Sequence, residues 1–114
     1  MYYEERPWGN FKVLYGGKDC KVKKITVNPE QKLSYQYHYK RNEYWTIISG
    51  NGKILLNDKI IDVSAGSNIF IPAEAKHTIE NISNKDPLVF IEIQTGNYFG
   101  EDDIVRLEDR YGRA

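Results

Sequence analysis

Residues 36–45 of the chain read Gln-Tyr-His-Tyr-Lys-Arg-Asn-Glu-Tyr-Trp. In an alternating strand, Gln36 and His38 project from the same face, and Glu43 returns to that face if the chain turns or bulges after His38. The other histidine of the chain is His77, far along the sequence. Two imidazoles, a carboxylate and an amide oxygen suit a divalent ion. A hydrogen-bonded structural histidine is the alternative for either imidazole alone, but the two together favour a metal site.

The totals limit the function further. The 114 residues suit one domain, spanning 1–114, with a single core. Sixteen basic and sixteen acidic side chains cancel, so neither nucleic acid nor an anionic membrane is an expected partner. The sequence has no apolar run of membrane-spanning length and no signal-peptide pattern, and the single Cys20 fits a reducing compartment. We expect a cytoplasmic protein.

Short runs rich in Tyr, Ile, Val and Thr, separated by Gly, Asn-Asp or Pro, predict an all-β fold. So many short strands must close into a barrel or sandwich to protect their edges. Asn57-Asp58 and Gly50-Asn51-Gly52 are expected to be tight turns. Nine strands are predicted: Phe11 to Tyr15, Cys20 to Val27, Lys32 to Tyr39, Glu43 to Ser49, Gly52 to Leu56, Lys59 to Val63, Ser67 to Ile71, His77 to Asn81 and Leu88 to Thr95.

The C-terminal segment has a different pattern. The acidic residues of 101–103 precede Ile-Val-Arg-Leu, which predicts a short helical turn capped by Asp102 or Asp103 and docked on the barrel.

Strand alternation also places polar side chains in apolar strands. Lys23 shares a face with Ile25 and Val27, so it either enters the interior or extends to the rim of an outer surface. In the interior its ammonium needs an anion, for which a substrate phosphate or an inner carboxylate such as Glu92 would serve. Glu92 and Gln94 form a similar pair, which either lines a pocket or faces solvent.

Aromatic and arginine side chains offer further contacts for a ligand. Trp8 and Trp45 could stack on a sugar ring, although large aromatics in a small barrel are often core. The arginines at positions 6, 41, 106 and 113 could bind phosphate, with surface ion pairing as the alternative.

Several spaced motifs resemble known families. His38-x4-Glu43-x6-Gly50 and Gly66-x5-Pro72 with His77-x3-Asn81 resemble the two halves of the cupin signature, with Gln36 in place of a histidine and Glu30 and Glu74 in place of glycines. Further segments resemble, more narrowly, the type II mannose-6-phosphate isomerase domain found at the C-terminus of bifunctional mannose-1-phosphate guanylyltransferases. These segments are Arg6-Pro7-Trp8-Gly9, Lys21-Val22-Lys23, Leu33-Ser34-x-Gln36-x-His38, Arg41-x-Glu43-x-Trp45, Ile91-Glu92-Ile93-Gln94 and Glu101-Asp102-Asp103-Ile104-Val105-Arg106 through Tyr111-Gly112-Arg113.

The resemblance implies a free-standing cupin β-barrel whose single divalent ion is held by Gln36, His38, Glu43 and His77. Zn or Mn is expected, and Fe, Co and Ni are also compatible with these ligands. The implied reaction is the isomerisation of mannose 6-phosphate to fructose 6-phosphate, or of a related phosphorylated sugar. The catalytic candidates are Glu92 as base with Arg41 and Arg106, and the substrate-binding candidates are Lys23, Trp8, Ser34 and Gln94.

The chain departs from the family pattern at Tyr39, Lys40 and Tyr44, where histidines are typical. Tyr44 follows the metal-site glutamate, so we expect the loss of a proton carrier near the metal. A non-catalytic sugar-binding cupin, and a metallo-cupin with another sugar or an oxygen-dependent reaction, are the alternatives. A homodimer is expected, because apolar residues on both strand faces need a cover.

Overall fold

The computed structural model describes residues 2–112, which form eleven β-strands. The residues from 2 to 112 include no helix with the length and apolarity needed to cross a membrane. The strands are β1 (Tyr2–Arg6), β2 (Gly9–Gly16), β3 (Cys20–Val27), β4 (Tyr35–Tyr37), β5 (Arg41–Ser49), β6 (Asn51–Leu56), β7 (Lys59–Ser64), β8 (Asn68–Ile71), β9 (His77–Asn81), β10 (Leu88–Gly96) and β11 (Val105–Glu108).

The strands form two antiparallel sheets. One has the order β1-β2-β3-β10-β5-β8 and the other the order β11-β4-β9-β6-β7. Alternate residues of the central strands β5 and β10 are buried, because successive side chains point to opposite faces and one face of each sheet contributes to a shared core. The core contains Trp8, Phe11, Ile25, Val27, Leu33, Trp45, Ile47, Ile54, Val63, Ile71, Ala75, Ile79, Leu88 and Phe90. The expectation of an all-β double sheet is confirmed.

The β6–β7 hairpin turns at the predicted dipeptide. Asn57 and Asp58 have φ of 47° and 67°, the left-handed values that a two-residue hairpin turn needs at both positions. Gly50 precedes β6 with φ of 92°, and a Cβ there would lie 2.6 Å from the carbonyl oxygen of Pro87. The Asn57-Asp58 hairpin turn therefore forms where the sequence predicts it. The hairpin turn predicted at Gly50-Asn51-Gly52 is wrong, because Gly50 is a bend between β5 and β6, which belong to different sheets, and Asn51 and Gly52 are part of β6.

The predicted strands all have counterparts, but one is much shorter than expected. The predicted strand from Lys32 to Tyr39 is reduced to β4, with Lys32 making only an isolated bridge to Glu80. Strand β1, which pairs with β2, was not predicted.

The expected C-terminal helical turn is wrong. Val105–Glu108 is strand β11, which pairs with β4, and the amide of Asp103 donates to the carbonyl of Gly100 in a tight turn before it. A single helical turn has little stability of its own, whereas the edge of β4 offers backbone partners to a β-branched segment. Pairing at that edge brings the acidic residues before β11 to the mouth of the barrel.

The outer face of the six-stranded sheet carries an apolar stripe. Cross-strand partners in successive strands run Tyr15↔Val22, Val22↔Ile93, Ile93↔Tyr44 and Tyr44↔Phe70. The rings of Tyr44 and Phe70 have their centroids 4.9 Å apart, and both residues are about half exposed. We call these five residues the outer stripe.

Candidate metal centre

Four candidate ligands converge at one end of the barrel. Gln36 and His77 are direct partners between β4 and β9, whereas Glu43 lies on β5 in the other sheet. His38 stands just after β4, where the chain crosses toward β5. All four line a cavity of about 70 Å³. Ligand atoms of His38, Glu43 and His77 lie within 4.8 Å of one another, and all three residues are buried.

Backbone carbonyls fix the protonation pattern of both imidazoles. His38 Nδ1 lies 2.6 Å from the carbonyl oxygen of Asp103, and His77 Nδ1 lies 2.9 Å from that of Ala75. A carbonyl oxygen only accepts, so each Nδ1 carries the proton and each Nε2 presents a lone pair. This is the arrangement in which a histidine binds a metal through Nε2.

The Nε2 lone pairs face the same carboxylate. His38 Nε2 lies 3.3 Å from Glu43 Oε2, and His77 Nε2 lies 3.7 Å from Glu43 Oε1. Burial, together with the nearby Arg41 and His77, lowers the pKa of His38 to about 4, so it is neutral at neutral pH. The two Nε2 lone pairs and the Glu43 carboxylate are all acceptors, so a buried cation or donor is needed among them. The donor set therefore fits a divalent ion.

Arg41 supplies a positive charge to the cluster in this structure. Its Nε donates to Glu43 Oε2 at 2.8 Å, and its Nη2 lies 3.2 Å from His38 Nε2. Arg41 is buried, and its Nη1 has no hydrogen-bond partner among the described residues. The Arg41 guanidinium thus supplies a positive charge beside the candidate ligands His38 and Glu43.

Gln36 is oriented by Ser34. The side-chain Nε2 of Gln36 donates to Ser34 Oγ at 3.1 Å and to the Ser34 carbonyl oxygen at 3.3 Å. The amide oxygen is left as the ligand atom of Gln36. Ser34 is buried and also lines the cavity, so its hydroxyl positions a candidate ligand.

A second carboxylate lies beside the cluster. Trp45 Nε1 donates to Glu43 Oε1 at 3.0 Å and to Glu92 Oε2 at 3.1 Å, while Gln94 Nε2 donates to Glu92 Oε1 at 2.6 Å. Burial, and then the charge of Glu43, raise the pKa of Glu92 to about 7. Burial also acts to raise the pKa of Glu43, but His77 and Arg41 outweigh it and hold that pKa below its usual value. The two carboxylates therefore suit different tasks, charge-bearing ligand and proton carrier.

Lys23 faces the barrel interior, the first of its two predicted orientations. Its Nζ lies 2.8 Å from Glu101 Oε2 and 4.2 Å from the centroid of the Phe11 ring. The carboxylate of Glu101 is the anion that the buried ammonium requires.

Two residues at the site were not identified as site residues from the sequence. Glu101 contacts Lys23, and Asp103 accepts hydrogen bonds from the amides of Tyr39 and Lys40 at 3.0 and 2.9 Å in addition to its carbonyl contact with His38. A helix cap was expected at Asp103. The signal that could have indicated Glu101 is the buried lysine itself, which needs an anion from outside its own strand pair.

Comparison with known sequences decides the family. The family model described as mannose-6-phosphate isomerase C-terminal matches residues 2–109. The chain belongs to this family. It is 42% identical over 109 residues to mannose-1-phosphate guanylyltransferase ManC of Salmonella typhimurium, covering 96% of this chain and 22% of that protein. It is also 42% identical to the xanthan biosynthesis protein XanB of Xanthomonas campestris, covering 96% of this chain and 23% of that protein. The chain thus spans less than a quarter of the length of these relatives.

Solved structures share the fold of this family member. The capsular polysaccharide assembling protein CapF of Staphylococcus aureus aligns with a TM-score of 0.79 at 23% identity, covering 95% of this chain and 34% of that one. The Cnp3 cupin domain of Schizosaccharomyces pombe aligns with a TM-score of 0.72 at 10% identity, covering 76% of this chain and 64% of that one. The chain therefore has a cupin-like double-stranded β-helix fold.

The remaining candidates lie close to the cavity. Trp8, Arg41 and Arg106 line it, as do the metal ligands and Glu92. Gln94 is completely buried but reaches the site only through Glu92. Trp45 is 1% exposed and serves as both core and hydrogen-bond donor. Arg6 lines the cavity and pairs with Glu4 at 2.5 Å, while Arg113 lies outside the described residues.

The departures from the family histidines lie outside the cavity. Tyr44 belongs to the outer stripe, on the face of β5 opposite Glu43 and Trp45. Tyr39 is exposed and its hydroxyl bonds that of Tyr37, and the Lys40 ammonium lies over the ring of Tyr98. An imidazole at position 44 would face outward as well, so the expected loss of a proton carrier beside the metal does not follow.

Proposed function

We propose that this family member is a metal-dependent aldose–ketose isomerase that converts mannose 6-phosphate to fructose 6-phosphate or acts on a related phosphorylated sugar. One observation carries the proposal. A buried carboxyl group whose pKa is raised to about 7, that of Glu92, shares a cavity with the His38, Glu43 and His77 cluster. Proton transfer between adjacent carbons requires a base that titrates near neutral pH beside a group that stabilises negative oxygen.

The candidate metal site would hold an ion that polarises substrate oxygens. His38, Glu43 and His77, with the amide oxygen of Gln36, would hold one divalent ion, either Zn or Mn, with Fe, Co and Ni also compatible with these ligands. When bound, such an ion supplies Lewis-acid polarisation of carbonyl and hydroxyl oxygens.

Glu92 would carry the proton between C1 and C2 of the sugar. Hydrogen bonds from Trp45 and Gln94 hold its carboxylate, one to each oxygen, so its orientation is set before substrate arrives. Burial keeps water away and raises its basicity. In the aldose-to-ketose direction Glu92 would accept the proton from C2 and return it to C1, ending in its starting state, while the hydroxyl proton of O2 passes to O1.

Basic side chains would balance the negative charge. Arg41 lies against Glu43, and Lys23 and Arg106 line the same cavity, so enediolate and phosphate oxygens would each find a cationic donor. We assign Arg41 and Arg106 to oxyanion or phosphate contacts. We assign Lys23, Trp8, Ser34 and Gln94 to substrate binding, with Ser34 and Gln94 acting through Gln36 and Glu92.

The cavity volume favours a second candidate function, a non-catalytic sugar-binding domain. About 70 Å³ is well below the roughly 300–1,000 Å³ of typical ligand pockets. The isomerase proposal therefore requires the site to open when substrate binds.

A coupled assay tests the proposal. The protein, loaded in turn with Zn, Mn, Co and Fe, is given mannose 6-phosphate and fructose 6-phosphate formation is followed. We expect turnover with at least one metal, and its loss in Glu92→Gln with metal content unchanged. Stoichiometric metal without turnover on any hexose phosphate of a panel would support the non-catalytic function instead.

We also propose a homodimer formed through the outer face of the six-stranded sheet. That face is six strands wide, with strands of four to nine residues, and covers roughly 700 Å² at standard strand spacings. A standard interface buries about 800 Å² per partner, so the dimer would use nearly the whole face. The outer stripe crosses the sheet, so a two-fold axis through Ile93 would place each stripe on its copy. Cytoplasmic location stays a prediction.

A further inference from the structure

The carboxylate of Glu101 occupies a position to which several basic groups point. Lys23 Nζ lies 2.8 Å from Glu101 Oε2 and Lys21 Nζ lies 3.7 Å from the same oxygen. Burial acts to raise the pKa of Glu101, but Lys23, and then Arg41 and Lys21, outweigh it and hold the pKa below its usual value. The Glu101 carboxylate therefore lies in the positive electrostatic field of Lys23, Arg41 and Lys21.

The lysine is built into the barrel, whereas the glutamate is not. Lys23 is 4% exposed and lies in the middle of β3, between two paired strands. The side chain of Glu101 is 45% exposed and belongs to the irregular stretch between β10 and β11. The carboxylate can therefore withdraw into solvent without breaking strand pairs, while the ammonium cannot follow it.

The neighbouring anchor leaves Glu101 free to move. Asp103 fastens the stretch through Tyr39, Lys40 and His38, two residues beyond Glu101. The Glu101 carboxylate pairs with the two lysines, whose side chains belong to β3 and not to its own segment. Rotation of the Glu101 side chain would remove the carboxylate and keep both the turn at 100–103 and the strand pairing of β11.

The cavity is small while Glu101 occupies this position. Its volume of about 70 Å³ is well below the roughly 300–1,000 Å³ of typical ligand pockets. Withdrawal of Glu101 would widen the mouth and release Lys23 at the same time.

We propose that Glu101 is an internal stand-in for the phosphate group of the ligand, and that a phosphate monoester displaces it to bind Lys23 and Lys21. The need for a phosphorylated sugar rests on the proposed function. The phosphate-binding site itself does not rest on the proposed function, because it is formed by Lys23 and Lys21 and can be tested without turnover. A phosphate dianion carries more charge and more acceptor oxygens than a carboxylate, so it competes well for two ammonium groups.

Calorimetric titration with inorganic phosphate tests this phosphate-binding site, on the full chain with and without added Zn. Removing the competing charge in Glu101→Gln should tighten phosphate binding about tenfold, the scale of one charge-assisted hydrogen bond. Lys23→Met should abolish saturable binding. Glu108→Gln, which removes an exposed carboxylate 3.7 Å from Lys32, is the matched control and should bind as wild type does. The affinity for mannose 6-phosphate should change in the same way across these variants, and mannose should not bind at this phosphate-binding site.

A measurement on the unmodified chain guards against variants that do not fold. In amide NMR spectra, phosphate should shift the signals of residues 100–103 and of Lys23. Shifts confined to residues elsewhere, or unchanged affinity in a folded Glu101→Gln variant, would overturn the displacement. These outcomes are independent of isomerase activity, since a protein without turnover can still show a phosphate-dependent shift at Glu101.

Discussion

Lys23 and Glu92 are direct cross-strand partners between β3 and β10, yet the Lys23 ammonium pairs with Glu101 on a different segment. Glu92 is instead hydrogen-bonded by Trp45 and Gln94, two neutral donors. A carboxyl group with neutral donors in a dry interior holds its proton to higher pH than one paired with an ammonium. Because Lys23 pairs with Glu101 and not with Glu92, the carboxyl group of Glu92 can titrate near neutral pH.

The first prediction concerns stability and pH in Glu92→Gln. The folded pKa of Glu92 is about 7 and its ordinary value is 4.5. The folded state therefore retains a proton that the unfolded state releases, so the stability from this group is present below pH 4.5 and is lost as pH rises through 7. The variant should gain roughly 3 kcal/mol relative to wild type between pH 4.5 and 8.

Urea denaturation of metal-free protein at several pH values provides this measurement. His38 acts in the opposite direction, because its pKa is lowered to about 4 and the stability it contributes is lost as pH falls from 6.5 to 4. It is present in both proteins, so the difference between them isolates Glu92. A difference that stays constant with pH would rule out the raised pKa.

The second prediction concerns His77→Ala. Removing this ligand should abolish stoichiometric metal while the far-UV circular dichroism of the sheets is retained, because His77 lies at the start of β9 and not in the apolar core. Elemental analysis checks the metal content. Asp62→Asn, which changes an exposed carboxylate of β7, is the control and should keep its metal. Full metal occupancy in His77→Ala would refute the four-ligand site.

The third prediction concerns Glu74→Gly. Glu74 is exposed and has φ of 69°, a left-handed value that costs a residue with a Cβ about 1–2 kcal/mol. Glycine avoids this cost but loses more backbone entropy on folding, so the net gain should be about 0.5–1 kcal/mol. Thermal denaturation should show a higher melting temperature. Glu5→Gly, in the regular strand β1, should by contrast destabilise the protein.

The fourth prediction concerns the dimer. Tyr44→Asp would place a charge in the outer stripe next to its central residue Ile93 and should convert the dimer to a monomer, as measured by light scattering after size-exclusion chromatography. Ile60→Asp is the matched control, since Ile60 is an exposed aliphatic residue of the other sheet and its replacement should leave the mass unchanged. A wild-type monomer at micromolar concentration would end the proposal.

Much of the site follows from local rules. Alternation along β3 and β10 correctly puts Lys23 on one face with Ile25 and Val27, and Glu92 on one face with Gln94, because a strand has a strict period of two. The burial of these residues in the structure shows that both faces point inward. The spacing of Gln36, His38 and Glu43 works for the same reason once the chain bends after His38. Positions 30 and 74, where the related signature has glycine, keep left-handed backbone although glutamate occupies them.

The sequence did not reveal the pairing between the distant strands β4 and β11. The residues before β11 reach the cavity only because β11 adds to the edge of β4, and nothing in the short pattern around Val105 distinguishes that strand from a helical turn. Glu101 and Asp103 were therefore expected to be helix-terminal acids. Tyr44 shows the converse error, since proximity to Glu43 in sequence suggested proximity in space, whereas adjacent strand residues point to opposite faces.

The bond from His38 to the carbonyl of Asp103 spans 65 positions, and it makes the metal centre a late product of biosynthesis. On a ribosome that has released residues 1–80, all four candidate ligands are already outside the exit tunnel, yet the His38 ring still lacks the acceptor that fixes its tautomer. The carboxylate that caps the amides of Tyr39 and Lys40 is missing as well. If the proposed site binds metal, selective capture would therefore wait until β11 has emerged and docked. A nascent chain stalled short of Asp103 would display the ligands without the site.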